Sequence, residues 1–163
     1  MKHLVPLILL TAISTPARAT ELRDNALRLD LGFVSAVGEA GVTYTRSLTR
    51  TVQLEAGAGW GFSGLQLSLM PKLSVGGARH RYVGGVGLAA AVRLNPDSDE
   101  SPVLGWLNAD ILGYEYRSAG GFTLLAAIGL SVGIAGHYSW EDGREEVAGI
   151  LMPQGRIGVG YSF

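Results

Sequence analysis

Eight segments of the 163-residue chain alternate apolar side chains with polar ones or glycine at a period of two. A strand sends successive side chains to opposite faces, so each segment reads as a strand with one greasy face and one small or polar face. The segments are 26–37, 40–48, 51–62, 65–75, 81–94, 103–116, 122–135 and 149–163. In the first, Leu27, Leu29, Leu31 and Phe33 oppose Arg28, Asp30 and Gly32. In the last, Ile157, Val159, Tyr161 and Phe163 oppose Arg156, Gly158, Gly160 and Ser162. The sixth is the least regular: Leu107, Ala109 and Ile111 oppose Asn108 and Asp110, which leaves bulky Trp106, Leu112 and Tyr114 on the polar face. Pro71 and Pro153 fall inside the fourth and eighth segments, where each removes a ladder donor, so a bulge or local break is expected at both.

Glycine is abundant, 24 residues, and scattered through the apolar segments, which disfavours helices and favours crowded or curved sheet. Residues 122–136 carry no charge, and Gly129 and Gly133 have the spacing of a helix-packing pair. The stretch is short for a membrane helix of about 20 residues, and its large apolar side chains hold the even positions, as in a strand. Segments of nine residues or more match tilted bilayer-spanning strands of about 9–11. A soluble eight-stranded barrel of the lipocalin kind would turn the polar faces outward. Those faces hold too few charges for a soluble exterior, about a quarter or more of which is normally charged, and suit a narrow interior better.

The N-terminus supplies an address. Lys2 and His3 precede an apolar run, Leu4 to Ile13, and Ala17-Arg18-Ala19 has the form of a cleavage site. That layout predicts a cleaved secretory signal peptide over 1–19 and a single domain over 20–163. With both chain ends in the periplasm, the two longest connections, 95–102 and 137–147, fall outside, as outer-membrane barrels prefer. The aromatics sort into two girdles, Phe33, Trp60 and Phe62 at one height and Tyr82, Phe122, Tyr161 and Phe163 at the other. Tyr44 falls between them.

Charge and cysteine content exclude several classes. The formal net charge is −1, so no basic field favours nucleic acid. No cysteine is present, which removes disulfides and thiolate metal sites. His3 and His80 stand apart from His137, so no histidine metal cluster forms, and no cofactor is expected. Gly85-x-Gly87-x-x-Ala90 loosely matches a dinucleotide fingerprint but lies inside a strand pattern and opens no helix.

On these residues, and on the terminal Tyr161-Ser162-Phe163, the chain resembles the small eight-stranded outer-membrane barrels typified by OmpX and the membrane domain of OmpA. The resemblance spans residues 26–163. It implies an antiparallel up-and-down transmembrane β-barrel in the bacterial outer membrane, monomeric, surrounded by lipid and lipopolysaccharide. Its last strand would be read by the barrel-assembly machinery.

An eight-stranded barrel is just wide enough for side chains to fill. The lumen parity carries Arg28, Asp30, Glu55, Lys72, Arg93, Asp110 and Arg156, with Gln53, Asn108 and Gln154. Mixed signs predict ion pairs across a plugged lumen. Glu55 and Lys72 are expected to meet on adjacent strands, and Asp30 with Arg156 across the closing seam. The expected role is non-enzymatic, in envelope integrity or surface interaction, with a small pore or ligand carrier as an alternative. A second alternative is catalytic. His137-x-Ser139, followed by Glu141, Glu145 and Glu146, resembles the His-x-Ser pair of lipid A-modifying outer-membrane lipases, although Trp140 replaces the asparagine expected after the serine.

Overall fold

The computed structural model describes residues 23–62, 64–92, 103–139 and 144–163, without the side chains of 92, 103–104, 135–139 and 144–148. The expected signal peptide, Arg93 and the outer connection 95–102 lie outside these residues. Eight antiparallel strands form a closed barrel in chain order: β1 (Asn25–Ser35), β2 (Gly38–Ser47), β3 (Val52–Gly61), β4 (Gly64–Gly76), β5 (His80–Val92), β6 (Val103–Arg117), β7 (Phe122–Ser139) and β8 (Arg144–Ser162). Closure is made by β1 against β8, from Ala26 opposite Ser162 to Phe33 opposite Gly155. Asn25 and Phe163 extend the seam, with their backbone groups paired at 2.9 and 3.1 Å. Closure leaves no free edge along the paired length, which satisfies the backbone without water.

The alternation carries through to burial. Leu27, Leu29, Leu31 and Phe33 are exposed on the outer surface, while Arg28 and Asp30 are buried inside. The short connections 48–51, 77–79 and 118–121 define a turn end, and the opposite end is the loop end.

Four local readings of the sequence are corrected. First, β6 contains a bulge between Asp110 and Leu112, seen as a register shift against β7. One extra residue inverts the facing of everything after it. Trp106 stays inside, but Leu112 and Tyr114 turn to the outer surface, and Glu115 and Arg117 enter the lumen. Second, β7 and β8 continue to Ser139 and from Arg144, so most of the segment expected as a loop over 137–147 is paired strand. Third, the first outer turn is Ala36-Val37 and not Gly38-Glu39. Gly38, at φ 79°, begins β2, and Ser35 Oγ donates to its carbonyl at 2.6 Å. Fourth, Pro153 causes no bulge: it lies opposite Leu130 in an unshifted β7 register, and the β1 ladder has already ended at Gly155. Pro71 does break its ladder. Pairing with β5 skips Met70 and Pro71 between Leu69–Leu88 and Lys72–Gly85, while the β3 side runs through, Leu54 opposite Pro71.

Candidate functional site: the barrel lumen

The inward residues make one connected polar network, centred on Glu55. Gln53 and Glu55 are successive inward positions on β3, and Glu55 is 2% exposed within the lumen. It accepts from Lys72 Nζ at 2.8 Å and faces Arg156 Nη1 at 2.6 Å, and it is paired with Arg28 Nη2. Thr45 Oγ1 donates to it at 3.1 Å. Lys72 reaches Glu55 because β3 and β4 are hairpin neighbours and both side chains point inward, near the turn end.

Two further carboxylates share Arg156 and Arg28 with Glu55, and one of them also takes Arg117. Arg156 Nη2 donates to Asp110 Oδ2 at 2.5 Å, and Gln154 Nε2 donates to Asp110 Oδ1 at 3.1 Å. Arg28 Nη1 donates to Glu115 Oε1 at 3.1 Å, and Arg117 Nη2 donates to the same oxygen at 3.0 Å. Asp30 accepts from Thr43 Oγ1 at 2.5 Å; its distance to Arg156 is 4.0 Å, so the seam pair is looser than the contacts of Arg156 with Glu55 and Asp110. Buried charges of this kind are tolerable only when paired and hydrogen-bonded, and each cation here touches at least one acid or backbone carbonyl. Arg81 Nε, for example, donates to Gly77 O at 3.3 Å.

Among the described lumen residues the cations are Arg28, Lys72, Arg81, Arg117 and Arg156, and the acids are Asp30, Glu55, Asp110 and Glu115, all at most 4% exposed. The near balance of sign gives no strong field for one ion type. Glu115, Arg117 and Arg81 were missing from the expected set. For Glu115 and Arg117 the missed signal was local: bulky Leu112 and Tyr114 on the supposed inner face, then two charges on the supposed outer one.

Toward the loop end, the described lumen residues form a cap of buried apolar side chains. Val34, the one described non-glycine residue at positive φ (52°), turns inward and packs with Ala89 and Trp106, against which Met152 also rests. Val37, fully buried, lies over β2 and β3, where a Cβ at Gly57 would overlap its Cγ1 and one at Gly41 would come within 2.8 Å of its Cβ. Those glycines make room for the inturned hairpin. Below the cap, Ser131 Oγ lies within 2.8 Å of Val34 O, Asn108 Oδ1 and Gln154 Oε1.

The seven aromatics expected in girdles, Phe33, Trp60, Phe62, Tyr82, Phe122, Tyr161 and Phe163, are all exposed on the outer surface. Phe33 and Phe62 meet edge to face at 6.2 Å near the loop end. Tyr44 is in cross-strand register with Leu27, which faces Tyr161, which faces Phe122; its hydroxyl donates to Asn25 Oδ1 at 2.6 Å. It therefore belongs with the turn-end aromatics. In the β7–β8 hairpin, the backbone sets His137 opposite Glu146 and Ser139 opposite Arg144. Glu141 lies outside the described residues, as do the side chains of His137, Ser139, Glu145 and Glu146. Among the described residues no group of three or more His, Cys, Asp or Glu could hold a metal ion.

No protein-family model and no curated protein matches the sequence.

Proposed function

We propose that the chain is a monomeric outer-membrane barrel that spans the bilayer with a plugged lumen. Its role is structural, in envelope integrity or surface interaction, and it is neither an enzyme nor an open pore. The observation that carries this reading is an inversion of normal burial. Among the described residues thirty large apolar side chains are exposed, whereas the buried residues comprise twenty polar or charged ones and only ten apolar. A soluble monomer rarely exposes contiguous apolar patches beyond a few hundred Å². Leaving these side chains half in water forgoes roughly 1 kcal/mol each, of order 30 kcal/mol in total, against a typical net stability of about 5–15 kcal/mol. A hydrocarbon surround removes that deficit, and the two aromatic groups suit its interfaces. Export by the signal-peptide pattern and assembly through Tyr161 to Phe163 fit the same address. Cells lacking the protein are expected to admit hydrophobic dyes and detergents more readily; unchanged permeability would refute the envelope role. Planar-bilayer recordings are expected to stay at baseline, and stable conductance steps would refute the plug.

The catalytic alternative is favoured by one observation, the backbone register that sets His137 opposite Glu146 with Ser139 two residues on. Residues two apart on a strand share a face, so base, acid and nucleophile can converge there. Lipid A mass spectra with and without the protein decide it: lost acyl chains support hydrolysis, and identical spectra remove it.

A further inference from the structure

The outer surface is not uniformly greasy. Over Phe122–Ile128 of β7 and Gly155–Tyr161 of β8 the outward positions hold large side chains, including Phe122, Leu124, Ile128, Ile157 and Val159, except at Ala126 and Gly155. Ala126 lies opposite Ile157, and Gly155 is two residues farther along β8, so the two small residues are diagonal neighbours. They floor a trough of about 1050 Å³, walled by Leu31 and Phe33 of β1 and by Leu112 and Tyr114 of β6. The β6 bulge makes that second wall, because it is what turns Leu112 and Tyr114 outward.

Nothing inside the protein requires glycine at 155. Its φ is ordinary, and an added Cβ would meet no atom closer than Ala127 O, at 3.9 Å. Gly160 on the same strand differs, because a Cβ there would overlap the backbone of β1. Gly155 therefore leaves open a space that a side chain could occupy without strain.

The trough runs into a polar cluster at the turn end. Tyr82 and Tyr114 line it, with ring centroids 6.2 Å apart. The Tyr114 hydroxyl pairs with His80 Nδ1 at 2.5 Å, which leaves the other ring nitrogen for a further partner. His80 also stands 5.2 Å from the Tyr116 ring, and both His80 and its neighbour Arg79 are exposed. An apolar channel ending at an imidazole and tyrosine hydroxyls, with the exposed Arg79 next to His80 in the adjoining turn, complements a molecule with a hydrocarbon tail and an anionic head. Ala126 is flanked by Tyr114 of β6 and Ile157 of β8, and Gly155 by Ile128 of β7 and Phe33 of β1. At each height the flanking strands are two spacings apart, about 10 Å between backbones, which admits a hydrocarbon chain and excludes a helix of about 10–12 Å diameter.

We propose that this trough holds an acyl chain of a glycerophospholipid from the leaflet at the turn end, with the lipid phosphate beside His80 and Arg79. The proposal rests on the membrane reading above. It is tested by native mass spectrometry of the full barrel in detergent micelles titrated with dioleoylphosphatidylglycerol, with dioleoylglycerol as the phosphate-free control. One phosphatidylglycerol is expected to stay bound to the parent protein, and several-fold less dioleoylglycerol. Gly155→Leu and Ala126→Leu are each expected to lower retention at least tenfold, and Arg79→Ala with His80→Ala several-fold. Equal retention by the two leucine variants, or by both lipids, would overturn the proposal. A gel-mobility shift on boiling establishes that each variant is folded. A folded barrel that keeps no lipid refutes this site alone, whereas a parent chain with no heat-modifiable form refutes the membrane reading beneath it.

Discussion

Replacing Glu55 by Gln should be among the most damaging single changes in the lumen. The substitution keeps the shape and removes one charge that faces three cations. Arg28 retains Glu115 at 3.1 Å and Thr45 at 2.9 Å, and Arg156 retains Asp110 at 2.5 Å. Lys72 retains only Asp110, at 3.9 Å. Removing one partner of a buried ion pair typically costs about 3–5 kcal/mol, because the other charge is left without compensation and away from water. Glu55→Gln is therefore expected to lose about 3–5 kcal/mol. Most of that loss falls on Lys72, so adding Lys72→Met should recover more than about 1 kcal/mol, a non-additivity characteristic of residues in contact. Urea titration of the protein folded in lipid vesicles, followed by gel mobility, measures both variants. A Glu55→Gln loss under about 1 kcal/mol, or a double variant as unstable as the sum of the two single changes, would refute the network as described.

Three further outcomes follow from the geometry. Gly160→Ala should destabilise the barrel by about 1–3 kcal/mol, since its Cβ would overlap the Leu27 carbonyl at the closing seam, while Gly155→Ala should be near neutral in the same titration. Thr43→Val should cost about 1.5–3 kcal/mol through loss of the hydroxyl that donates to Asp30, measured in the same way. Single cysteines at Leu112 and Tyr114 should react with a membrane-dissolved maleimide, and one at Glu115 should not; the opposite order would contradict the β6 bulge.

The barrel was legible because its signal is strictly binary: one side of each strand meets the interior and the other the surround, so Leu29 and Arg28 sort without any knowledge of their neighbours. The Glu55–Lys72 contact was legible for a related reason, since hairpin neighbours at similar distances from their turn must be close. What the alternation could not reveal was an added residue. The bulge near Ile111 reverses the rule for the rest of β6, and so it hid Glu115 and Arg117 and moved Leu112 and Tyr114. The extent of β7 and β8 was hidden differently, because charges at Arg144, Glu145 and Glu146 look like loop when a hairpin continues past its neighbouring strands. The inturned Val34 to Val37 hairpin was marked only by the glycines that receive it, Gly41 and Gly57, and those read equally well as ordinary interior glycine. Pro153 misled because its tolerance depends on where β1 ends, which is a property of another strand.

The central claim, that the greasy outer surface of this barrel faces lipid, is tested most directly by detergent dependence. Protein without residues 1–19, refolded into micelles, should migrate faster unboiled than boiled and should precipitate when the detergent is removed. A chain that stays soluble and monodisperse without detergent, and migrates identically before and after boiling, would contradict it.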